Sequence, residues 1–319
     1  MNITEEIYKI GIVPVIKIND VEKAVPLAKA LIDGGLPIAE ITFRTEAAEE
    51  AIKRVSKAYP EMLVGAGTVL TIEQAQRAKN AGAKFIVSPG FNPKVVQWCL
   101  DNDIVPTPGC TTPTEIEQAL ELGLNLVKFF PAEQSGGLDK IKALCAPYGN
   151  LKFIPTGGIN LDNLKEYISF KKILACGGSF MVKEDYINNE EWDKITELTR
   201  KSVDAMLDLK IAHIGINSND ESAAKATSDV FNTIMGTEIT KESDKSIFAG
   251  TLFEVMKFNG VGDNGHIAIK TSNVDRAVYH LSKRGIEFDP FTAMYNDDGS
   301  MKFIYIKDQI GGFGVHLVS

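Results

Sequence analysis

One lysine, Lys128, interrupts an apolar segment, residues 126–132 (LVKFFPA). Lysine is seldom buried without a partner or a chemical role, because removing an ammonium group from water is costly. An apolar environment favours the neutral amine, which can attack a carbonyl carbon and form a Schiff base. The alternative is a lysine at a strand end whose ammonium group reaches solvent along its own aliphatic stem.

A second group of reactive side chains lies in residues 39–45 (AEITFRT). In a strand, alternation places Glu40, Thr42 and Arg44 on one side. The planar guanidinium of Arg44 suits a carboxylate ligand. Glu40 could transfer protons to and from a carbon or a hydroxyl if its surroundings raise its proton affinity. A purely structural ion pair is the alternative.

Eight short apolar segments that could position these residues alternate with amphipathic segments between about residues 11 and 210. This pattern predicts a parallel (β/α)8 TIM barrel, whose active site lies at the carboxyl ends of the strands. An open doubly wound sheet is the alternative, but no GxGxxG motif opens the first helix. The predicted strands are 12–18, 39–43, 63–69, 84–89, 104–108, 126–130, 152–156 and 172–176, with helices that include 21–31, 47–58, 72–81 and 113–122.

Glycine pairs follow the last two predicted strands, as Gly157-Gly158 and Gly177-Gly178 with Ser179 behind them. Barrel loops at these positions often bind phosphate through backbone amides. Glycine allows the backbone to approach a ligand closely, and a serine hydroxyl can donate a hydrogen bond. The pattern therefore favours a phosphate site, with structural turns as the alternative.

The composition limits the function classes. The chain has 319 residues, 44% of them hydrophobic and 24% charged, which suits one large domain and one small one. A net charge of -8 argues against nucleic acid or an anionic membrane as partner. Four widely spaced cysteines without a CxxC pair predict reduced thiols. Without a visible secretion signal or membrane-spanning segment, we expect a cytoplasmic protein.

Residues 1–208 resemble the 2-keto-3-deoxy-6-phosphogluconate (KDPG) and 4-hydroxy-2-oxoglutarate (KHG) aldolase family. The resemblance extends over seven segments in order along the chain. They are 14–16 (PVI), 40–45 (EITFRT), 65–70 (GAGTVL), 88–90 (SPG), 128–133 (KFFPAE), 155–159 (PTGGI) and 177–179 (GGS).

The resemblance implies a class I aldolase that needs no metal, has a (β/α)8 barrel and usually forms a trimer. It implies cleavage of KDPG, an intermediate of the Entner-Doudoroff pathway, to pyruvate and glyceraldehyde 3-phosphate, and possible cleavage of KHG to pyruvate and glyoxylate. Lys128 matches the Schiff-base lysine and Glu40 the general acid and base. The substrate-binding positions are Arg44 and Thr68 for the pyruvate carboxylate, Pro89 and Thr156 beside the substrate, and Gly157, Gly158, Gly177, Gly178 and Ser179 toward the phosphate.

Two loops depart from the family's usual sequence, residues 91–93 (FNP) and 110–112 (CTT). Such loops could alter aldehyde selectivity. The alternative substrates are 2-keto-3-deoxy-6-phosphogalactonate and a non-phosphorylated keto acid.

Residues 209–319 form a second predicted domain with an internal repeat. Segments 212–216 (AHIGI) and 265–269 (GHIAI) each precede a helical pattern, 221–234 and 274–284, and each helix is followed by strand-like segments that end at 252–256 and 314–318. Two βαβββ units are expected. This arrangement resembles the vicinal oxygen chelate superfamily, which includes glyoxalase and ring-cleaving dioxygenase relatives.

That resemblance implies a divalent-metal site with one ligand from each of four strands, at His213, Glu254, His266 and His316. The last position is usually glutamate, so His316 is a departure. Three imidazoles and a carboxylate suit Zn²⁺, Fe²⁺, Ni²⁺ or Mn²⁺. The domain would then be a metal-dependent isomerase or lyase; the alternative is a non-catalytic ligand-binding or packing module whose histidines are structural. His280, in the second helix, is expected at the surface.

Overall fold

The computed structural model of this chain describes residues 2–319. These residues form two compact units, the first ending at Met206 and the second comprising Leu207–Ser319. Within residues 2–319, no helix combines the length and apolar character that crossing a membrane requires.

The first unit is built on short parallel strands that alternate with helices, and it is a (β/α)8-like barrel. The first three strands are buried along their whole length, as expected for parallel strands covered on both faces. The strands are Ile12–Ile16 (β1), Ile38–Thr42 (β2), Leu63–Gly67 (β3), Phe85–Val87 (β4), Val105–Thr107 (β5), Leu126–Phe129 (β6), Lys152–Pro155 (β7) and Cys176–Gly178 (β8).

The ring of strands consists of a six-stranded sheet and a two-stranded ribbon. The sheet has the order β5-β4-β3-β2-β1-β8, and the ribbon is the pair β6-β7. Isolated bridges join the ribbon to its neighbours, Gly109 to Lys128 on one side, and Phe153 to Ile173 and Thr156 to Gly177 on the other. Hydrogen bonds across the two junctions include Lys128 N–H to the Pro108 carbonyl (2.8 Å) and Leu174 N–H to the Phe153 carbonyl (2.9 Å).

The helices of this unit cover the barrel with one apolar face each. In the third helix, Ala51, Ile52 and Val55 are buried at the spacing of one helical face. The helices are Ile3–Ile10 (α1), Ala24–Asp33 (α2), Ala48–Ala58 (α3), Ile72–Ala81 (α4), Pro93–Asp101 (α5), Pro113–Glu121 (α6), Gly137–Cys145 (α7), Leu164–Ile168 (α8), Glu184–Asn188 (α9) and Trp192–Leu207 (α10).

The eighth strand differs from the prediction. The branched residues of segment 172–176 predicted a strand there, but β8 is Cys176–Gly178. The two glycines therefore lie in the strand instead of in the loop behind it. The close approach of β7 requires glycine in this strand, since a Cβ on Gly177 would lie 2.2 Å from Thr156 Oγ1. Glycine is unusual in strands except where another chain segment comes this near.

The second unit contains one eight-stranded sheet with two βαβββ halves. Its strand order is β10-β11-β12-β9-β13-β16-β15-β14, and the halves meet where β9 and β13 pair antiparallel. The elements are Lys210–Ile216 (β9), Glu221–Met235 (α11), Ile239–Glu242 (β10), Ser246–Ala249 (β11), Phe253–Met256 (β12), Gly265–Lys270 (β13), Val274–Lys283 (α12), Met294–Tyr295 (β14), Met301–Tyr305 (β15) and Phe313–Val318 (β16).

The prediction of an exposed His280 is wrong. This residue is 2% exposed. It lies three residues after Ala277 and six after Val274, both of which are buried, so it belongs to the inward face of α12.

Candidate functional site

The central pair of the first unit is Lys128 on β6 and Glu40 on β2, which lie across the barrel from each other. Lys128 Nζ is 3.1 Å from Glu40 Oε1 and 3.5 Å from Oε2. Both residues are buried, at 5% and 3% exposure. The surroundings of Lys128 are therefore not purely apolar, as segment 126–132 alone suggested. At this distance the carboxylate can accept a proton from Nζ or donate one to a group bonded to it.

The pair lines a cavity of about 400 Å³, within the size range of small-molecule sites. The other predicted barrel residues line the same cavity, with one exception. Gly177 does not line it, because it faces Thr156 within the strand ladder. The residues that were predicted from the sequence and line the cavity are Glu40, Arg44, Thr68, Pro89, Lys128, Thr156, Gly157, Gly158, Gly178 and Ser179.

A guanidinium and two threonines lie along one wall of the cavity. Arg44 Nε donates to Thr42 Oγ1 (3.3 Å), and Thr42 Oγ1 donates to the Ile16 carbonyl (2.8 Å). Thr68 has a φ of 55°, a left-handed conformation that is strained for a β-branched residue. Glu40 forms an ion pair with Lys128. Arg44 is thus placed to bind an anionic group.

The opposite end of the cavity is a backbone turn. Gly157 and Gly158 have φ values of 98° and 84°, which side chains rarely tolerate. The Gly158 N–H makes no backbone hydrogen bond within residues 2–319, whereas the bridge between Thr156 and Gly177 directs the Gly157 N–H toward the Gly177 carbonyl. The Gly158 carbonyl accepts from Asn160 Nδ2 (3.2 Å) and Asn163 Nδ2 (3.0 Å). A free backbone amide in such a turn can contribute to binding an anion such as phosphate.

Four residues that line the cavity were not among the binding residues predicted from the sequence. They are Val15, Thr42, Phe130 and Ile159. The ring centroid of Phe130 lies 5.4 Å from Lys128 Nζ. Alternation from Lys128 contained the signal, because residues two apart in an extended segment share a side.

The second unit brings together His213 on β9, Glu254 on β12 and His266 on β13, three adjacent strands. Glu254 Oε2 lies 3.0 Å from His213 Nε2 and 3.2 Å from His266 Nε2, and the two nitrogens are 3.1 Å apart. Burial favours the neutral acid, but hydrogen bonds from His213, His266 and Ser246 outweigh it and lower the pKa of Glu254.

His316 on β16 lies beside this group of three but outside it. Its ring centroid is 5.2 Å from that of His266 and 5.7 Å from that of His213. Its Nδ1 is buried without a hydrogen-bond partner among the described residues. Burial, followed by repulsion from His266 and His213, lowers the pKa of His316 to about 3. His316 is therefore a neutral imidazole at physiological pH.

Comparison with known proteins places the first unit in a family. The sequence model "KDPG and KHG aldolase" matches residues 3–198. A 2-dehydro-3-deoxy-phosphogluconate aldolase of Treponema pallidum is 48% identical over 203 residues, which are 64% of this chain and 97% of that protein.

Solved structures agree with the sequence match. One is the KDPG aldolase of Legionella pneumophila, which was solved with pyruvate captured at low pH as a covalent carbinolamine intermediate. It matches this chain with a TM-score of 0.60 and 37% identity, and the match spans 62% of this chain and 96% of the Legionella chain. The KDPG aldolase of Zymomonas mobilis, solved with 3-phosphoglycerate, has a TM-score of 0.58 at 35% identity, with 62% and 94% covered. The sequence-based resemblance is confirmed, and through residues 3–198 this chain belongs to the KDPG and KHG aldolase family.

Proposed function

We propose that this protein is a class I aldolase that cleaves KDPG to pyruvate and glyceraldehyde 3-phosphate, with KHG as a second substrate. The observation that carries this proposal is the buried Lys128–Glu40 pair, with Nζ 3.1 Å from Oε1, inside a cavity that has Arg44 along its wall and the Gly157–Gly158 turn at its end. Relatives named for this activity support the substrate assignment.

In the first half of the reaction, Glu40 takes a proton from the Lys128 ammonium group. The neutral amine attacks the C2 ketone of the substrate and forms a carbinolamine. Glu40 returns the proton to the departing hydroxyl, water leaves, and an iminium ion remains on Lys128. Arg44 and Thr68 hold the substrate carboxylate during these steps, so that C2 stays within reach of the amine.

In the second half, the carboxylate of Glu40 removes the proton of the C4 hydroxyl. The C3–C4 bond breaks, its electron pair moves into the iminium to give an enamine, and the aldehyde leaves. Glu40 then delivers its proton to C3, and water hydrolyses the resulting iminium to release pyruvate. One carboxylate therefore serves both as base and as acid, which its position beside Nζ permits.

Borohydride trapping with pyruvate tests the covalent step. We expect a reduced pyruvate adduct on Lys128, its loss in Lys128→Ala, and its retention in the control Lys152→Ala, whose lysine is on the neighbouring strand β7 but outside the cavity. Glu40→Gln should slow cleavage strongly. No adduct in the wild-type protein, or an adduct on another lysine, would overturn the mechanism.

The substrate is tested separately with a coupled pyruvate-release assay. The panel comprises KDPG, its galactonate epimer, KHG and a 2-keto-3-deoxy sugar acid without phosphate. We expect the highest kcat/KM with KDPG, because the Gly157–Gly158 turn offers the Gly158 N–H to a terminal phosphate. Equal values with and without phosphate would contradict the substrate assignment.

For the second unit we propose a divalent-metal module of the vicinal oxygen chelate type. Its support is the triangle of His213 Nε2, Glu254 Oε2 and His266 Nε2, with sides of 3.0 to 3.2 Å. Ligand atoms about 2.0–2.1 Å from one metal ion lie about 2.8–3.0 Å apart in octahedral geometry and about 3.3–3.4 Å apart in tetrahedral geometry, so the donor set fits within this range. A metal held here would act as a Lewis acid.

Metal analysis after incubation with Zn²⁺ or Mn²⁺ and dialysis tests this module. We expect one equivalent in the wild-type protein and none in His213→Ala. We also expect none in Gly215→Ala, because a Cβ there would lie 2.0 Å from His266 Cε1 and displace the ring. His316→Ala should retain the metal. A wild-type protein without bound metal would favour a packing or ligand-binding module.

A further inference from the structure

A buried tyrosine and a glutamate lie directly behind the Gly157–Gly158 turn. Tyr167, on α8, is 2% exposed, and its hydroxyl donates a hydrogen bond to Glu133 Oε1. Burial, together with this hydrogen bond and the charge of Glu133, raises the pKa of Tyr167. The phenol therefore remains a hydrogen-bond donor throughout the working pH range.

Glu133 is held to the turn by its backbone and by its side chain. Its N–H donates to the Gly157 carbonyl (3.1 Å), next to the bond from Ala132 N–H to the Thr156 carbonyl (2.8 Å). A Cβ on Gly158 would lie 2.4 Å from Glu133 Cγ and 2.6 Å from its Cβ. The aliphatic part of Glu133 therefore fills the space behind Gly158, and Tyr167 holds its carboxylate.

We infer that Glu133 and Tyr167 are positioning residues that fix the Gly157–Gly158 turn, and thereby set the affinity of the cavity for the phosphate end of the substrate. This inference rests on the proposed aldolase function. Neither side chain lines the cavity, so the effect passes through the turn, whose left-handed glycines could otherwise adopt many conformations. The Lys128 end of the cavity is not part of this contact.

An electrostatic role of the Glu133 carboxylate is the competing explanation, and it predicts the opposite change in phosphate affinity. A carboxylate behind a phosphate site repels the ligand, so an electrostatic role would make removal of Glu133 improve phosphate affinity. A positioning role makes removal weaken it. The variants Tyr167→Phe, Glu133→Ala and Glu133→Gln separate the two, since glutamine keeps the shape and one hydrogen-bond acceptor without the charge.

Steady-state kinetics with KDPG and KHG tests the inference, because KHG has no phosphate. In Tyr167→Phe and Glu133→Ala we expect KM for KDPG to rise about 10-fold, which corresponds to about 1.4 kcal/mol, with kcat within about 2-fold of the wild type. KM for KHG and pyruvate trapping should stay unchanged, and Glu133→Gln should be close to the wild type. Tyr148→Phe is the matched control, since this half-buried tyrosine also donates to a glutamate, Glu117 (3.1 Å), but lies outside the cavity.

Calorimetric titration with inorganic phosphate keeps the inference separate from the proposed catalysis. Weaker phosphate binding in Tyr167→Phe and Glu133→Ala supports it even if the wild-type enzyme releases no pyruvate. Equal phosphate affinity in wild type and both variants overturns it. An equal rise in KM for KDPG and KHG also overturns it, because it would indicate general damage to the barrel. Tighter phosphate binding in Glu133→Ala overturns it as well, because it would indicate the electrostatic role.

Discussion

Replacing Gly67 by alanine should displace the carboxylate of Glu40 without changing either member of the catalytic pair. Gly67 ends β3, next to β2 in the sheet. A Cβ there would lie 2.2 Å from Glu40 Oε1 and 2.7 Å from its Cγ. The φ of Gly67 lies outside the left-handed region, so the conflict is purely steric.

The size of the effect follows from these distances. Ordinary contact with a Cβ begins at 3.4 Å, so the carboxylate has to retreat by about 1 Å, and the 3.1 Å separation from Lys128 Nζ changes with it. A displacement of about 1 Å in a reacting group costs on the order of 10²-fold in rate. We therefore expect kcat to fall about 100-fold and the free energy of unfolding to fall by about 1–3 kcal/mol through overpacking.

The assay is pyruvate release from KDPG, with thermal unfolding measured in parallel. Gly149→Ala is the control, because a Cβ there meets no atom within 4 Å. In a Glu40→Gln background, Gly67→Ala should have little further effect on kcat, since both changes act on the same group. A wild-type kcat in Gly67→Ala, or an equal loss in the Glu40→Gln background, would refute this reasoning.

Two further predictions concern the barrel away from this pair. Burial, and then the charge of Glu115, raises the pKa of the Cys110 thiol to about 12, so only about 10⁻⁴ of the thiol is ionised at pH 8. A disulfide reagent should therefore label Cys110 in guanidinium but not in the native protein. Rapid labelling of the native protein would contradict a buried Cys110. Thr112→Ala should lower the free energy of unfolding by about 1 kcal/mol, since Thr112 and Glu115 form the capping box of α6. Burial opposes ionisation of Glu115, but hydrogen bonds from Thr111 and Thr112 lower its pKa below the ordinary value of 4.5. The stability that the ionised Glu115 contributes is therefore present above pH 4.5 and is lost as the pH falls through the lowered pKa. In denaturant titrations, the difference in free energy of unfolding between wild type and Thr112→Ala should shrink in acid.

Local sequence patterns were sufficient for much of the site because the relevant strands are short and buried. Alternation in segment 39–45 predicts a shared face for Glu40, Thr42 and Arg44, and all three line the cavity. The barrel order then brings the ends of β2, β3, β6 and β7 to one face. The existence of the cavity and its chemistry could therefore be predicted from sequence.

Contacts between distant residues could not be predicted in the same way. Lys128 and Glu40 are 88 residues apart, so the apolar neighbours of Lys128 gave no sign of its carboxylate partner. Glu133 and Tyr167 are 34 residues apart and bear on the cavity only through a backbone turn. Such pairings depend on barrel closure, which places two loops side by side.

The remaining differences come from packing that overrides propensity. The strand at Gly177 requires glycine because Thr156 leaves no room for a side chain. His280 is buried because its helix turns that face toward the sheet. In the second unit, alternation brought His213 and His266 to the same side of two paired strands, but the sequence could not show that His316 lies outside their triangle with Glu254.

The division of the barrel into a sheet and a ribbon has a consequence for its dynamics. The ribbon β6-β7 carries Lys128, whereas Arg44 and Thr68 extend from the sheet. A keto acid bonded covalently to Lys128 and held by Arg44 through an ion pair would link the ribbon to the sheet across the bridged junctions. Amide hydrogen exchange in the ribbon should therefore slow when pyruvate is trapped, and the melting temperature should rise with it.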